Sequence, residues 1–161
     1  MPDMKSKVMS LKHAIALAAR ARRSRKKVVT TNGCFDIVHV GHVRALAHAR
    51  SLGDMLIVGI NSDASVRRIK GPGRPVLPAR ERAEVLAALE SVDAVFIFST
   101  KTPTPWLEKV RPAVHVKSSD YSPERIVEKA IVEKYGGRVV IFPHTGKHSS
   151  TKIIEKIKKT L

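Results

Sequence analysis

A single cysteine, Cys34, stands among 161 residues. That count rules out an intramolecular disulfide and a multi-cysteine zinc site, and nothing signals an oxidising compartment. Aromatic residues are scarce at 4%, which leaves few ring platforms for stacking single-stranded nucleic acid. No apolar run approaches the roughly 20 residues that span a bilayer. Acidic residues are also few: 14 Asp and Glu face 30 Lys and Arg, giving a formal net charge of +16. Such a surplus concentrates anions around the protein, whether nucleotides, sugar phosphates or nucleic acid. The rest is ordinary, with 43% hydrophobic and 27% charged residues, as in a water-soluble globular chain. The length suits one domain over 1–161, and a cytoplasmic location is expected.

The first 25 residues carry Lys5, Lys7, Lys12, Arg20, Arg22, Arg23 and Arg25 against Asp3, a loose likeness to an organellar transit peptide. The preferred reading is a basic amphipathic helix. Leu11, Ala14, Ile15 and Ala18 fall at i, i+3, i+4 and i+7, with Ser10 placed as an N-cap. A core over 27–161 follows. Lys27–Thr31 is β-rich, Asn32-Gly33 reads as a turn, and Val43, Leu46 and Ala47 mark a helix. Met55–Ile60 is a short continuous apolar strand of the kind covered on both faces.

After a Gly/Pro loop from Lys70 to Leu77, the spacing predicts a helix over Pro78–Glu90 and a strand over Ala94–Phe98. Next come a short helix, Trp106–Val110, and a strand, Ala113–Val116. A helix over Glu124–Tyr135 ends at Gly136-Gly137 and leads to a strand at Arg138–Phe142. A terminal helix starts near Ser150, with Ile153, Ile154, Ile157 and Leu161 inward. Five strands alternating with helices imply a doubly wound parallel α/β sheet, Rossmann-like, whose ligands lie outside the carboxyl ends of its strands.

Chemistry concentrates in Thr31-Asn32-Gly33-Cys34-Phe35-Asp36-Ile37-Val38-His39-Val40-Gly41-His42, between the first strand and its helix. A helix N-terminus offers unpaired N–H groups and about half a positive charge, which suits a phosphate. His39 and His42, three apart there, can aim two imidazoles at one anion, and Gly41 leaves room for close approach. The pair could also share a metal ion, yet no third ligand with familiar spacing appears. Cys34 beside His39 invites a nucleophile reading, although a buried small hydrophobe is the commoner role. A second phosphate motif, His148-Ser149-Ser150-Thr151-Lys152, opens the terminal helix after the last strand, where simple capping competes with it. Lys70, Arg74 and Arg82 are the remaining cationic candidates, each also explicable as solvated surface charge.

Together, Gly33 to His42 and Ser149-Ser150-Thr151 resemble the nucleotidyltransferase superfamily whose signature is His-x-Gly-His. Over about Val28 to Ile157 the chain is most similar to its D-glycero-β-D-manno-heptose 1-phosphate adenylyltransferase branch. Asn61-Ser62-Asp63, Lys70-Gly71, Arg74-Pro75-Val76, Pro78, Arg82 and Val92-Asp93 fall in that branch's order. The resemblance implies transfer of AMP from ATP, with Mg²⁺, to a sugar 1-phosphate. It implies that His39, His42 and Arg82 are catalytic. It puts Gly33, Cys34, Phe35, Gly41, Ser149, Ser150 and Thr151 against the nucleotide, and Asp36, Asn61, Asp63, Lys70, Lys117 and Asp120 toward the acceptor.

Two departures stand out. The branch's Lys-Gly-Gly-Asp is Lys117-Ser118-Ser119-Asp120 here, and its Ser-Thr-Thr is Ser149-Ser150-Thr151. The second keeps a hydroxyl; the first puts side chains where glycines would admit a substrate. The alternatives are a related enzyme of the glycerol-3-phosphate cytidylyltransferase or FAD synthase type, and a non-catalytic polyanion binder resting on the +16 charge. The expected partners are a small sugar phosphate and an NTP, with pairing as a homodimer allowed; neither a membrane nor nucleic acid is expected.

Overall fold

The computed structural model describes residues 4–118, 126–143 and 148–161. In chain order these form α1 (Met4–Lys7), α2 (Leu11–Arg23), β1 (Val28–Gly33), α3 (Val40–Ser51), β2 (Met55–Asn61), α4 (Asp63–Lys70) and α5 (Ala79–Ala87). β3 (Ala94–Phe98), α6 (Thr104–Val110), β4 (Val114–Ser118), α7 (Glu128–Lys134), β5 (Arg138–Phe142) and α8 (Ser150–Thr160) complete the set. The five strands form one sheet in the order β3-β2-β1-β4-β5, all pairs parallel. The doubly wound α/β expectation is met. The order reverses between β1 and β4, and at such a switch point the adjoining helices diverge and open a crevice.

Strand alternation divides the core between the two faces. Val29, Leu56, Val58, Ile60 and Val95 pack with Leu46 and Ala49 of α3 and Ala83, Leu86 and Ala87 of α5. Val28, Ile57, Ala94, Phe96 and Phe98 face Ala14, Ala18 and Ala21 of α2, Trp106 and Leu107 of α6 and Val132 of α7. The odd and even positions of β1, β2 and β3 therefore serve opposite layers, as the two-residue side-chain period requires. α2 begins where expected: Ser10 accepts a hydrogen bond from the His13 amide, and three buried alanines let the helix sit close to the sheet.

Several boundaries differ from the sequence expectations. Asn32 and Gly33 are the last residues of β1, not a turn, because both continue the parallel register opposite Gly59 and Ile60. The sequence pattern gives no sign of the Asp63–Lys70 helix; Ser62 caps it by accepting from the Ser65 amide, and Lys70 is its last residue instead of a loop residue. β4 runs on through Lys117 and Ser118, paired to Ile141 and Phe142 of β5. Of the apolar stripe on α8, Ile153 and Ile154 are half-buried, whereas Ile157 and Leu161 are exposed.

Candidate active site

A cleft of about 720 Å³ opens at the carboxyl edge of the sheet. Its floor is Thr31, Asn32 and Gly33 of β1 with Asn61, Phe98 and Val116 from the neighbouring strands, and its rim includes the starts of α3 and α8. It therefore lies where the strand order predicts a ligand.

At the start of α3, His39 is the N-cap. Its Nδ1 accepts from the Gly41 amide at 3.2 Å, and the His39 amide donates back to Nδ1 of His42 at 3.4 Å. The two imidazoles thus form a reciprocal cap of the kind a Ser and a Glu more often make. They stack with centroids 3.9 Å apart at 25°. With Nδ1 accepting, the neutral ring carries its proton on Nε2, which makes Nε2 the donor suited to a phosphate oxygen. Gly41 has a local reason to be glycine: a Cβ there would sit 2.9 Å from Cε1 of His39. That imidazole packs closely over Gly41, which also lines the cleft. Phe35 packs its ring 5.1 Å from that of His42 and holds a left-handed backbone, φ 48°, a conformation that costs a bulky residue energy and clusters at functional sites.

At the start of α8, the three hydroxyls divide their work. Ser149 caps the helix, accepting from the Lys152 amide at 3.1 Å, and Ser150 donates to the Ile37 carbonyl at 2.9 Å. That second bond ties the last helix to the first motif. Thr151 Oγ1 lies 3.5 Å from Nη1 of Arg74. His148 brings its ring 6.2 Å from that of His39, so the two motifs, distant in sequence, share one rim.

The acidic and basic candidates separate sharply. Asp36 is fully buried and accepts from Arg74 Nε at 2.6 Å, from the Val76 amide at 2.8 Å and from the Leu77 amide at 3.0 Å. Burial alone would raise its pKa, but the Leu77 and Val76 amides and Arg74 outweigh it and hold the carboxyl below its ordinary range. Asp36 therefore organises the 71–77 loop through these bonds while it lines the cleft.

Arg82 does not line the cleft. Its guanidinium is buried beneath, donating to the Leu77 carbonyl, the Cys34 carbonyl and Asp63 at 2.9, 2.5 and 2.7 Å. Arg82 and Asp63 thus support the Cys34 turn, the arginine wholly buried below the cleft and the aspartate a third exposed at the start of α4. Asn61 and Lys70 do line the cleft, with the Asn61 amide donating to Ser65 Oγ. Burial pushes the Cys34 thiol up in pKa, against the lowering pull of Lys70, Arg82 and Arg74. A protonated thiol is a poor nucleophile.

On the β4 side, Lys117 and Ser118 line the cleft with Glu128 of α7. The sequence places Lys117 just past its strand; it lies within β4, 7% exposed, and pairs with Glu128 at 2.7 Å on the wall of the cleft. Asp120 lies outside the described residues. Glu128 and the Asp36–Arg74 bond escape the sequence reading, which names His148 only as the first residue of the His-Ser-Ser-Thr motif and gives its ring no role. Neither Glu128 nor the Asp36–Arg74 bond has a local signal, since their partners lie 11 and 38 positions away. Among the described residues no three His, Cys, Asp or Glu are grouped to hold a metal ion, and no helix is long and apolar enough to cross a membrane.

The family model described as cytidylyltransferase-like matches residues 30–156. A curated relative called bifunctional protein HldE, from Geotalea uraniireducens, is 51% identical over 158 residues, 98% of this chain and 32% of its own length. Another of that name, from Syntrophotalea carbinolica, is 52% identical over 84% of this chain and 28% of its own. The chain thus spans about a third of the length of the curated relatives it matches. Two solved structures share the fold. One is a lipopolysaccharide core biosynthesis protein from Thermoplasma volcanium, with TM-score 0.63 and 23% identity over 74% of this chain and 97% of that one. The other is a pantoate-beta-alanine ligase from Francisella tularensis complexed with beta-gamma ATP and beta-alanine, with TM-score 0.63 and 14% identity over 94% of this chain and 76% of that one.

Proposed function

Because the chain belongs to the cytidylyltransferase-like family, we propose that it transfers AMP from ATP to D-glycero-β-D-manno-heptose 1-phosphate, giving ADP-heptose and pyrophosphate. The observation that carries the reading is the convergence of two capped helix starts, His39 of α3 and Ser149 of α8, on one cleft at the switch point. Each presents amides and partial positive charge to a polyphosphate. The resemblance of the motifs to the heptose branch, and relatives named HldE at about half identity, favour the sugar phosphate over glycerol 3-phosphate or FMN.

An oxygen of the acceptor phosphate attacks the α-phosphorus in line. The new P–O bond forms as the bond to the β-phosphate oxygen breaks, and that electron pair leaves with pyrophosphate. A phosphate monoester is ionised near neutral pH, so no strong base is needed, and rate comes from positioning and charge stabilisation. His39 and His42 donate to the α-phosphate as charge develops, and the start of α8 holds the leaving pyrophosphate. Mg²⁺ accompanying the nucleotide would be held chiefly by the nucleotide's own phosphates and by water, and would supply charge neutralisation there. A cytoplasmic setting, where nucleotide is abundant, is part of the same reading.

The test measures pyrophosphate release with ATP, CTP and GTP against the heptose β-phosphate, its α-anomer, glycerol 3-phosphate and FMN. Turnover is expected with ATP and the β-anomer. Turnover of glycerol 3-phosphate or FMN, with neither heptose phosphate used, would overturn the acceptor while leaving nucleotidyl transfer standing.

A further inference from the structure

We propose that Arg74 grips the terminal phosphates of the bound nucleotide, and that Asp36 is the positioning residue that aims it at the start of α8. The inference deepens the nucleotidyl-transfer reading and rests on it. Arg74 comes from the 71–77 loop, between α4 and α5, yet lines the cleft. Its side chain is 13% exposed, and Asp36, itself 1% exposed, fixes it through Nε. Asp36 also accepts the Val76 and Leu77 amides, so one buried carboxylate sets both the loop and the guanidinium.

The far end of the guanidinium is directed outward. Nη1 reaches Thr151 Oγ1 only at 3.5 Å, the long limit of a hydrogen bond, and Nη2 has no protein partner among the described residues. Arg74 thus points at the first turn of an eleven-residue helix, whose leading amides lack intrahelical acceptors. A guanidinium and a helix start repel each other, and an anion between them reverses the sign of that interaction. His39, His42 and Lys70 add donors and cationic character along the same cleft, and the carboxylate beside Arg74, Asp36, is already saturated by three donors. A planar fork held by one nitrogen, with terminal nitrogens turned to such a spot, fits a bridging phosphate oxygen better than a point charge would.

The experiment titrates wild type, Arg74→Lys, Arg74→Gln and Asp36→Asn with α,β-methylene-ATP and with AMP by calorimetry, each with its melting temperature. The expected result for Arg74→Gln is affinity for the triphosphate analogue weakened about tenfold or more, with AMP affinity changed less than about twofold. Asp36→Asn should follow the same split, and Arg74→Lys should recover part of the loss. Equal weakening of both ligands, or no weakening of the triphosphate, in variants that melt like wild type overturns the proposal. Where Arg74→Gln melts early, Arg74→Lys decides: full wild-type affinity for the analogue overturns the need for a fork. Failure of wild type itself to bind the analogue would bring down the nucleotidyl-transfer reading, a result distinct from all of these.

Discussion

Nη2 of Arg82 lies 2.7 Å from Oδ1 of Asp63, with the arginine side chain wholly buried and the aspartate a third exposed. The pair joins the start of α4 to α5 directly under the turn that carries Cys34. Replacing Arg82 with Met leaves Asp63 without its partner and the Cys34 and Leu77 carbonyls without their donor. Losses of this kind cost about 3 kcal/mol or more. The expected outcome is a large drop in urea midpoint, with nucleotide affinity of the remaining folded fraction within a few-fold of wild type. A wild-type midpoint combined with collapsed kcat would put Arg82 back among the catalytic groups.

His42→Ala removes one of two stacked imidazoles and the acceptor for the His39 amide. Turnover should fall by about 10² or more, the scale expected for losing a preorganised charge stabiliser. The α3 cap keeps its other half, the Gly41 amide on His39 Nδ1, so the far-ultraviolet circular dichroism should be unchanged. Pyrophosphate release at saturating substrates is the readout, and an unaltered kcat would remove His42 from the chemistry.

The hydroxyls opening α8 should part company under mutation. Ser149→Ala deletes an N-cap and should cost about 1 kcal/mol of stability, with little change in substrate KM. Thr151→Ala deletes the hydroxyl beside Arg74 and should raise the KM for ATP several-fold at nearly constant melting temperature. Parallel loss of stability in both variants, with KM untouched, would reduce the motif to capping.

Acid sensitivity has a definite sign. His115 is fully buried, hydrogen-bonded to Thr30 Oγ1 at 2.8 Å; burial, aided by the charge of Lys117, pushes its pKa down to about 3. Between about pH 6.5 and 3 the unfolded chain therefore binds a proton that the folded protein refuses. Stability is fully present above pH 6.5 and falls as pH drops through that window, by up to about 1.4 kcal/mol per pH unit. Asp36, whose folded pKa is lowered, adds to the loss at the acidic end, below its unfolded value. Urea midpoints from pH 7 to 4 should decline in wild type and decline less steeply in His115→Gln. Identical slopes would show that His115 does not govern the trend.

The sheet was legible because parallel strands buried on both faces write themselves as short apolar runs, as Met55–Ile60 and Ala94–Phe98 do. The helix over 63–70 was not, since Arg67, Arg68 and Lys70 leave only Val66 as a buried apolar residue on eight positions, too little for a stripe. The histidine motif could be placed because its spacing is local. What its neighbours do was hidden: whether an arginine supports or binds depends on which groups the fold sets against it. Arg82 and Arg74 are eight positions apart, and nothing along the chain says that the first is enclosed by two carbonyls and Asp63 while the second is held at one nitrogen and left open at another. Lys117 is a similar case, as its partner Glu128 sits eleven positions on across a strand-to-helix connection.

The central place of β1 also sets an order of events for a chain emerging from the ribosome. Once β2 has been made, β1 can pair on one side, Val28 with Met55 through Gly33 with Ile60. Its other edge must wait for β4, whose His115 joins Thr30 across 85 positions. Until then that edge is an open row of backbone donors and acceptors, the feature that invites pairing with other chains. The histidine motif is likewise present early but idle, because Ser150 meets the Ile37 carbonyl from 113 positions away. Loop closure over such spans slows folding more than it weakens the product. The cleft is thus among the last parts to assemble, and interference with β4 or α8 during synthesis should yield chains that hold the first motif yet lack a site.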